Sequence, residues 1–234
     1  MVLAAKIFKV NEETSLDVIF QKLRGFQEEE PCEISGESRR LATEIVGLKL
    51  EKDVLSGVLA KDFVLTKYYR GGEVQTLTTE EVPFYFKFFN GKIFLIVVAP
   101  TKPRGVKKLL ANYVANKLSE IVFGRAGGIV ETKIPHDTLR ELHESNPRAT
   151  KLIWFDDVDF PDVGKLALSG SALADTKLYH EYLEHGRVWY VVFEVGKREM
   201  VVGIARNCVI TLFSKASVDE FKEFILEDII PLVE

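Results

Sequence analysis

The stretch VPFYFKFFNGKIFLIVV, residues 82–98, decides the fold that the sequence predicts. Two apolar runs flank Asn90-Gly91, and both of these residue types accept the positive φ angles of a tight two-residue turn. An Asn-Gly pair in this setting is the strongest short-range signal for two antiparallel strands joined as a hairpin. We therefore predict a β-hairpin here and an antiparallel sheet around it.

Upstream of this hairpin, apolar and polar residues alternate with a period of two, which is typical of strands that bury one face. Three segments follow the pattern: TEIVGLKLEKD (43–53), SGVLAKDFVLTKYY (56–69) and GEVQTLTTEE (72–81). We predict that they form successive antiparallel strands. The preceding segment, QEEEPCEISGESRR (27–40), is polar and contains turn-forming residues, so we predict an irregular connection there.

Helices are predicted both before and after these strands in the chain. Residues 5–10 alternate as a strand, and Thr14 is predicted to cap the short helix that follows. Between Arg104 and Phe123 the apolar residues recur at helical spacing, which predicts a longer helix. Gly124 is placed to end that helix, because glycine accepts the left-handed conformation of a helix C-terminus.

A second hairpin is predicted in the last third of the chain. The segment RVWYVVFEVGKREMVVGIAR (187–206) contains two apolar runs that turn at Gly196-Lys197, and CVITLFSK (208–215) follows as a further strand. Ser217 and Glu220 have the spacing of a capping box and predict the start of a C-terminal helix.

A hairpin that leads into a helix thus occurs twice in the sequence. This recurrence predicts an α+β fold of two related modules, each an antiparallel β-sheet with helices packed on one face. We place an N-terminal module at residues 1–123, a connecting strand and helix at 124–149, and a C-terminal module at 150–234.

Composition limits the classes of function. The chain has 31 basic and 35 acidic residues, a formal net charge of −4, so nucleic-acid binding would need a local basic patch. Cys32 and Cys208 form neither a disulfide framework nor a paired metal-binding motif. No secretory signal and no apolar run of membrane-spanning length is present, so we expect a cytoplasmic protein without membrane contact. Abundant Lys and Glu with scarce Gln suggest a thermophilic source.

The basic patch with the clearest chemistry lies where the longer helix is predicted to begin. Cations at a helix N-terminus are unfavourable without an anionic partner, so this end is predicted to bind phosphate. A second segment, TKYYRGG (66–72), adds two cations and two tyrosines that can stack on bases. The alternative is an ordinary solvated face and turn. The candidate nucleic-acid contacts are Lys102, Arg104, Lys107 and Lys108, supported by Lys67 and Arg70.

Two pairs of histidines are candidate metal ligands. The segment LYHEYLEHG (178–186) approaches the zinc motif H-E-x-x-H, but on a helix His180 and His185 point about 140° apart. An exposed helical turn is the favoured interpretation. His136 and His143 are seven residues apart and share a helix face, which permits metal binding. A solvated helix face is the favoured alternative, so no metal site is predicted.

An acidic cluster gives the enzyme alternative. Paired carboxylates in WFDDVDFPD (154–162) can hold Mg²⁺ for a nuclease, completed by Glu194 and Lys197. The spacing of that pair is one residue too long, and an acidic strand end is favoured. No phosphate-binding glycine motif and no nucleophile elbow occurs, so enzyme activity is not expected. The acidic residues are Asp156, Asp157, Asp159 and Asp162.

Two stretches carry a resemblance to a known family. The run VPFYFKFFNGKIFLIVV (82–98) resembles the hairpin in the N-terminal and linker region of prokaryotic Argonautes, and AAKIFKVN (4–11) resembles the first strand there. The resemblance implies an accessory nucleic-acid-binding subunit without a nuclease centre.

The sequence therefore predicts a non-catalytic protein that binds DNA or RNA, or an accessory subunit of a nucleic-acid-processing complex. It is expected to contact phosphates through the basic helix N-terminus and to have a protein partner but no cofactor. A Mg²⁺-dependent nuclease and a purely protein-binding structural subunit are the alternatives. The oligomeric state is left open.

Overall fold

The computed structural model describes residues 3–34, 36–100, 111–145 and 148–234, except for the side chains of residues 99 and 100. Over these residues the protein has a mixed fold in which antiparallel β-sheet dominates, with five α-helices. The predicted α+β class with antiparallel sheets is therefore confirmed. No helix in the described ranges is long and apolar enough to cross a membrane.

The described residues form two compact units, which are treated separately below. One consists of Phe8–Val130, and the other of Met1–Ile7 together with Glu131–Glu234. The strands are β1 (Leu3–Val10), β2 (Gln27–Ile34), β3 (Glu37–Glu51), β4 (Val54–Tyr69), β5 (Gly72–Phe89), β6 (Lys92–Pro100), β7 (Ile129–Glu131), β8 (Thr150–Asp156), β9 (Leu166–Ser169), β10 (Arg187–Val195), β11 (Met200–Ala205) and β12 (Val209–Leu212). The helices are α1 (Leu16–Leu23), α2 (Ala111–Phe123), α3 (His136–Ser145), α4 (Lys177–His185) and α5 (Val218–Phe224).

In the unit Phe8–Val130, strands β2 to β6 lie side by side in chain order, and each pairs with the next in antiparallel fashion. The predicted hairpin is the β5–β6 pair. Its last cross-strand pair is Phe89↔Lys92, and Asn90 and Gly91 have φ values of 47° and 75°. This prediction is confirmed, because the Asn-Gly turn supplies the two positive φ angles that a two-residue hairpin loop needs.

The core of this unit forms where α1 and α2 cover one face of the sheet. Phe84 and Phe86 of β5 are fully buried and meet edge to face, with ring centroids 5.9 Å apart. Ile19 of α1 and Leu118 of α2 are also fully buried in the same cluster. Burying side chains of this size stabilises the fold by about 1.5–3 kcal/mol each. Gly57 is required here, since a Cβ atom would lie 2.6 Å from Cζ of Phe84.

Two local predictions in this unit are wrong. Residues 27–40 do not form an irregular connection, because β2 and the start of β3 pair from Gln27↔Glu44 to Ile34↔Glu37. Strand β2 ends the strand order, and an edge strand tolerates the missing backbone donor of Pro31. The N-cap of α1 is Ser15, not Thr14, since the Ser15 side chain accepts a hydrogen bond from the backbone N–H of Val18.

The second unit contains the antiparallel order β1-β12-β11-β10-β8-β9. Strands β10 and β11 form the predicted second hairpin, in which a short turn at Gly196–Arg198 and a left-handed residue, Glu199, follow Val195. The capping box at the start of α5 is also confirmed: the Ser217 hydroxyl accepts from the Glu220 N–H, and the Glu220 carboxylate accepts from the Ser217 N–H. The core includes Tyr179, Phe155 and Phe221, all fully buried.

Candidate nucleic-acid interface

The four basic residues of the predicted helix N-terminus, Lys102, Arg104, Lys107 and Lys108, lie outside the described residues. The described part of that helix is α2, which runs from Ala111 to Phe123. Gly124 ends it with φ 72°, and its N–H donates to the carbonyl of Glu120 at 2.8 Å, so the predicted helix end is confirmed. Phosphate binding at the other end stays a prediction.

The supporting residues Lys67 and Arg70 lie at the end of a long two-stranded ribbon. In the described residues, β4 pairs with β3 only as far as Lys61↔Thr43, and the β5 pairing with β6 begins at Phe84↔Val97. The β4–β5 ladder continues from Asp62↔Thr79 to Tyr69↔Gly72. At about 3.4 Å per residue this ribbon, residues 62–79, extends for about 24 Å.

The base of the ribbon is anchored by one carboxylate. Asp62 accepts a hydrogen bond from the backbone N–H of Ala42 at 3.0 Å and another from the Thr79 hydroxyl at 2.7 Å. The first hydrogen bond links β4 to Ala42 of β3, and the second links β4 to Thr79 of β5. Phe63 packs against the hydrophobic core of the unit. The ribbon is therefore attached firmly at the point where it leaves the wider sheet.

Two tyrosines dominate the surface at the end of the ribbon. Tyr68 is 79% exposed and Tyr69 is 61% exposed. Because successive strand residues point to opposite sides, one ring lies on each face of the ribbon. The Tyr69 ring also lies against the turn, where a Cβ atom on Gly71 would be 2.8 Å from Cε2 of the ring. Glycine thus gives the tyrosine room to fold back over the turn.

The cations of the ribbon end have no internal partner among the described residues. Lys67 and Arg70 are both exposed, and the only carboxylate within residues 66–76 is that of Glu73, which is the cross-strand neighbour of Tyr68. The ribbon end therefore combines two available positive charges with two exposed aromatic rings. Phosphates and unstacked bases are the groups that such a surface can contact.

The segment LYHEYLEHG forms α4, and its histidines diverge as predicted. His180 is exposed, whereas His185 places Nδ1 2.8 Å from Oδ1 of Asp159 and stacks against Phe160. Tyr179, the residue before His180, is on the buried face of the helix and is fully buried. Across the described ranges, no three His, Cys, Asp or Glu side chains are grouped so that they could hold a metal ion.

The favoured interpretation of His136 and His143 as a solvated helix face is wrong. His143 is fully buried, with Nδ1 2.8 Å from the Thr150 hydroxyl and its ring edge-to-face with Tyr179. His136 is partly buried and accepts a hydrogen bond at Nδ1 from the Val188 N–H. Burial lowers the pKa of both rings, because the charged form loses hydration. Each histidine therefore has its own structural partner.

The acidic cluster forms ion pairs and a hydrogen bond with residues that sequence analysis did not associate with it. The Arg206 guanidinium lies 2.9 Å from Asp156 and 3.4 Å from Asp157, and Asp159 binds His185. Burial raises the pKa of Asp156, and the charge of Arg206 acts against that shift. Three of the four carboxylates therefore already have a side-chain partner within the protein, and Arg206 is a cation beside two of them.

The other two residues of the nuclease alternative are remote from the cluster. Asp156 pairs with Arg187 at the start of β10, whereas Glu194 follows Phe193↔Thr150 near the other end of that strand. Seven residues along a strand correspond to about 23 Å. Glu194 instead forms an ion pair with Lys151 at 3.2 Å. The described geometry does not bring together the groups that this nuclease centre would need.

Arg206 is the residue that sequence reasoning missed. It lies 50 positions from Asp156 along the chain, and its guanidinium also covers the Trp189 ring at 5.3 Å. No local motif marks it, although an arginine immediately after an apolar strand is a weak indication of a charge at a sheet end.

Comparison with protein-family models and with curated proteins found no match for this chain.

Proposed function

We propose that this protein is a non-catalytic nucleic-acid-binding subunit that contacts its ligand with the end of the β4–β5 ribbon. The proposal rests on two exposed tyrosines, Tyr68 at 79% and Tyr69 at 61%, that lie beside two exposed cations. These cations, Lys67 and Arg70, have no ion-pair partner in the part of the chain that the structure describes. Isolated exposed tyrosines are common on protein surfaces. Two adjacent ones at the end of a projecting ribbon, each beside a cation, form a surface suited to bases and phosphates.

Single-stranded nucleic acid is the ligand class that this surface favours. Each tyrosine can stack on a base that is free of its complement, and stacking of this kind contributes about 1–3 kcal/mol per base. Lys67 and Arg70 can then pair with the flanking phosphates, which releases counterions and makes binding sensitive to salt. Lys102, Arg104, Lys107 and Lys108, which lie outside the described residues, remain part of the proposal as further phosphate contacts.

The proposal is tested by fluorescence anisotropy with a labelled 20-nucleotide single strand and the matching duplex. We expect the single strand to bind more tightly than the duplex and to be released as salt rises. The variant Tyr68→Ala/Tyr69→Ala should weaken binding of the single strand by about 30-fold or more, since two stacking contacts are removed.

Phe213→Ala is a matched control, because Phe213 is also half-exposed but lies in the other unit. It should leave the affinity unchanged. Equal affinities for wild type and the tyrosine variant would show that the ribbon does not bind nucleic acid. A salt-independent signal would also contradict the proposal.

A protein partner is a second candidate, favoured by the apolar side chains of the ribbon. Val74 and Leu77 are 43% and 45% exposed on β5. Beyond Lys61 the ribbon pairs only with itself in the described residues, so its outer backbone groups can accept an added strand. A pull-down from native extract tests this: a partner retained by wild type should be lost with Leu77→Lys, and an empty pull-down counts against it.

We further propose that the protein acts in the cytoplasm as part of a nucleic-acid-processing complex, and that the two units are related modules. The relation is supported by the recurrence of an antiparallel hairpin, β5–β6 and β10–β11, ahead of a helix, α2 and α5. The proposed role is binding and not catalysis, because the acidic residues closest to a metal-site pattern are paired with Arg206 and His185.

A further inference from the structure

A cavity of about 670 Å³ lies within the unit formed by Met1–Ile7 and Glu131–Glu234. It is bordered by the end of α3, the β10–β11 turn and the C-terminal helical segment. This volume is within the range of small-molecule sites, which are roughly 300–1,000 Å³. Its apolar lining includes Leu142, Ala149, Phe193, Phe224, Ile229 and Leu232.

The walls of the cavity are held together by specific contacts. The Glu194 N–H donates to the Ala149 carbonyl at 2.9 Å, which joins β10 to the segment before β8. Arg198 donates to Asp228 at 2.9 Å and to Glu227 at 2.5 Å, which joins the β10–β11 turn to the C-terminal segment. These contacts fix the bordering elements to one another, so ligand binding would require little ordering of them.

The C-terminal wall departs from α-helical geometry. After α5 the chain continues as a π-helical segment, Ile225–Ile229. Such segments are rare and occur frequently at functional sites. Here the segment supplies two residues of the lining, Asp228 and Ile229.

One charged residue of the lining has no ion-pair partner among the described residues. Glu194 is paired with Lys151, and Arg198 is paired with both Asp228 and Glu227. Lys197 also lines the cavity and is exposed, and it has no partner among the described residues. An apolar cavity with one unpaired ammonium group at its edge suits a ligand that has an apolar body and one negative charge.

We propose that this cavity binds a small amphipathic anion, with its apolar body between Phe193, Phe224 and Ile229 and its carboxylate on Lys197. The proposal is independent of nucleic-acid binding, because the ribbon belongs to the other unit. The probe chosen to test it is decanoate, and its partner of opposite charge is decylammonium.

The first experiment is isothermal titration of the full chain with each probe. We expect decanoate to bind at one site per chain and decylammonium to bind at least about tenfold more weakly, the size of one charge-assisted contact. Lys197→Gln should lower the decanoate affinity to a similar extent, and Lys177→Gln, an exposed lysine on α4, should not. Equal affinity for the two probes, or no effect of Lys197→Gln, would overturn the proposal.

The second experiment blocks the cavity. Gly196 lines the cavity, and a Cβ atom there meets no atom within 4 Å, so Gly196→Ile adds a branched side chain at the wall of the cavity without a clash at Cβ. Decanoate binding should be lost in this variant. Gly164→Ile is the matched control, since Gly164 is equally unobstructed but does not line the cavity. Decanoate binding by Gly196→Ile at the wild-type affinity would place the ligand elsewhere.

If Gly196→Ile fails to fold, the Lys197→Gln and decylammonium measurements on folded protein still decide the question. Absence of decanoate binding to the wild-type protein would also overturn the proposal.

Discussion

The end of the β4–β5 ribbon and the end of β8 both have charged residues beside aromatic rings. They differ in whether those charged residues form ion pairs within the protein. At the end of β8, Arg206 pairs with Asp156 and Asp157 and covers the Trp189 ring. At the ribbon, Lys67 and Arg70 have no such partner in the described residues, and the tyrosines beside them are exposed.

The charged side chains at the end of β8 stabilise the fold by pairing with one another, whereas the cations of the ribbon, unpaired within the described ranges, are free to pair with a ligand. An ion pair with low exposure already satisfies its members, so a new ligand would have to break it and leave a charge unpaired. An exposed cation loses little by pairing with a phosphate, because it gives up only water and counterions. This difference favours the ribbon as the proposed binding surface, and four changes to the molecule would test the proposal.

The largest effect is expected from shortening the ribbon. Leu65↔Thr76 lies four residues below Tyr69↔Gly72, the pair that closes the present two-residue turn, so it is the same type of hydrogen-bonded pair. Residues 66–75 can therefore be replaced by Asn-Gly without changing the register of the remaining ladder. Binding of a single-stranded oligonucleotide should fall by about 100-fold or more in anisotropy measurements, because both stacking rings and both cations are removed. Urea unfolding should show a stability close to that of wild type. Unchanged binding would show that the ribbon is not part of the nucleic-acid interface.

A smaller effect, on stability, is expected at the end of β8. The side chains of Arg206 and Asp156 are only 23% and 15% exposed. Arg206→Met would leave a mostly buried carboxylate without its cation, which should lower the free energy of unfolding by about 2–3 kcal/mol. Urea denaturation measures the change. The matched variant Arg70→Met should change the free energy of unfolding by less than about 0.5 kcal/mol. A similar loss of stability in both variants would show that the two arginines do not differ in their structural role.

Acid should weaken the unit that contains the β8 end through its buried histidine. Burial lowers the pKa of His143 in the folded state below its unfolded value near 6.5, so the unfolded state binds a proton first. Stability is fully present above that unfolded pKa and should fall as pH drops through 6.5 towards the lower, folded pKa. His143→Gln should reduce this loss between pH 7 and 5. An equally steep loss in the variant would assign acid sensitivity to other groups.

The smallest effect concerns the salt dependence of binding. Each phosphate contact by a cation contributes about 0.7 to the slope of log affinity against log salt for single strands. Lys67→Gln should therefore lower the slope by about that amount and weaken binding only slightly, whereas Lys177→Gln should leave the slope unchanged. Anisotropy titrations at several salt concentrations provide the measurement, and an unaltered slope in Lys67→Gln would exclude this lysine from the phosphate contacts.

Local signals explain the parts of the fold that the sequence predicted. Asn90 and Gly91 adopt the positive φ angles expected of them, and Ser217 and Glu220 form the expected capping box. In each case the information lies within a few residues, because turn conformation and helix capping depend on side chains adjacent in the chain. The exposed tyrosines and cations of residues 66–72 could also be identified as candidates from the sequence.

The parts that could not be predicted depend on partners far along the chain. The segment 27–40 is too polar to show a strand pattern. Its first part is strand β2 because the backbone of β2 pairs with the first half of β3, Glu37–Glu44.

By itself, the sequence determined the two hairpins, the end of α2 at Gly124, the capping box at Ser217 and the candidate cations, since these follow from local backbone preferences and from side-chain chemistry. Only the tertiary structure decided which charges are already satisfied and which are available. Arg206 contacts Asp156, 50 positions away in the chain, and His143 is buried against Tyr179. Lys67 and Arg70 lie beyond the point where β4 stops pairing with β3. The physical reason is that burial and pairing depend on which distant segments meet, and a one-dimensional pattern does not contain that information.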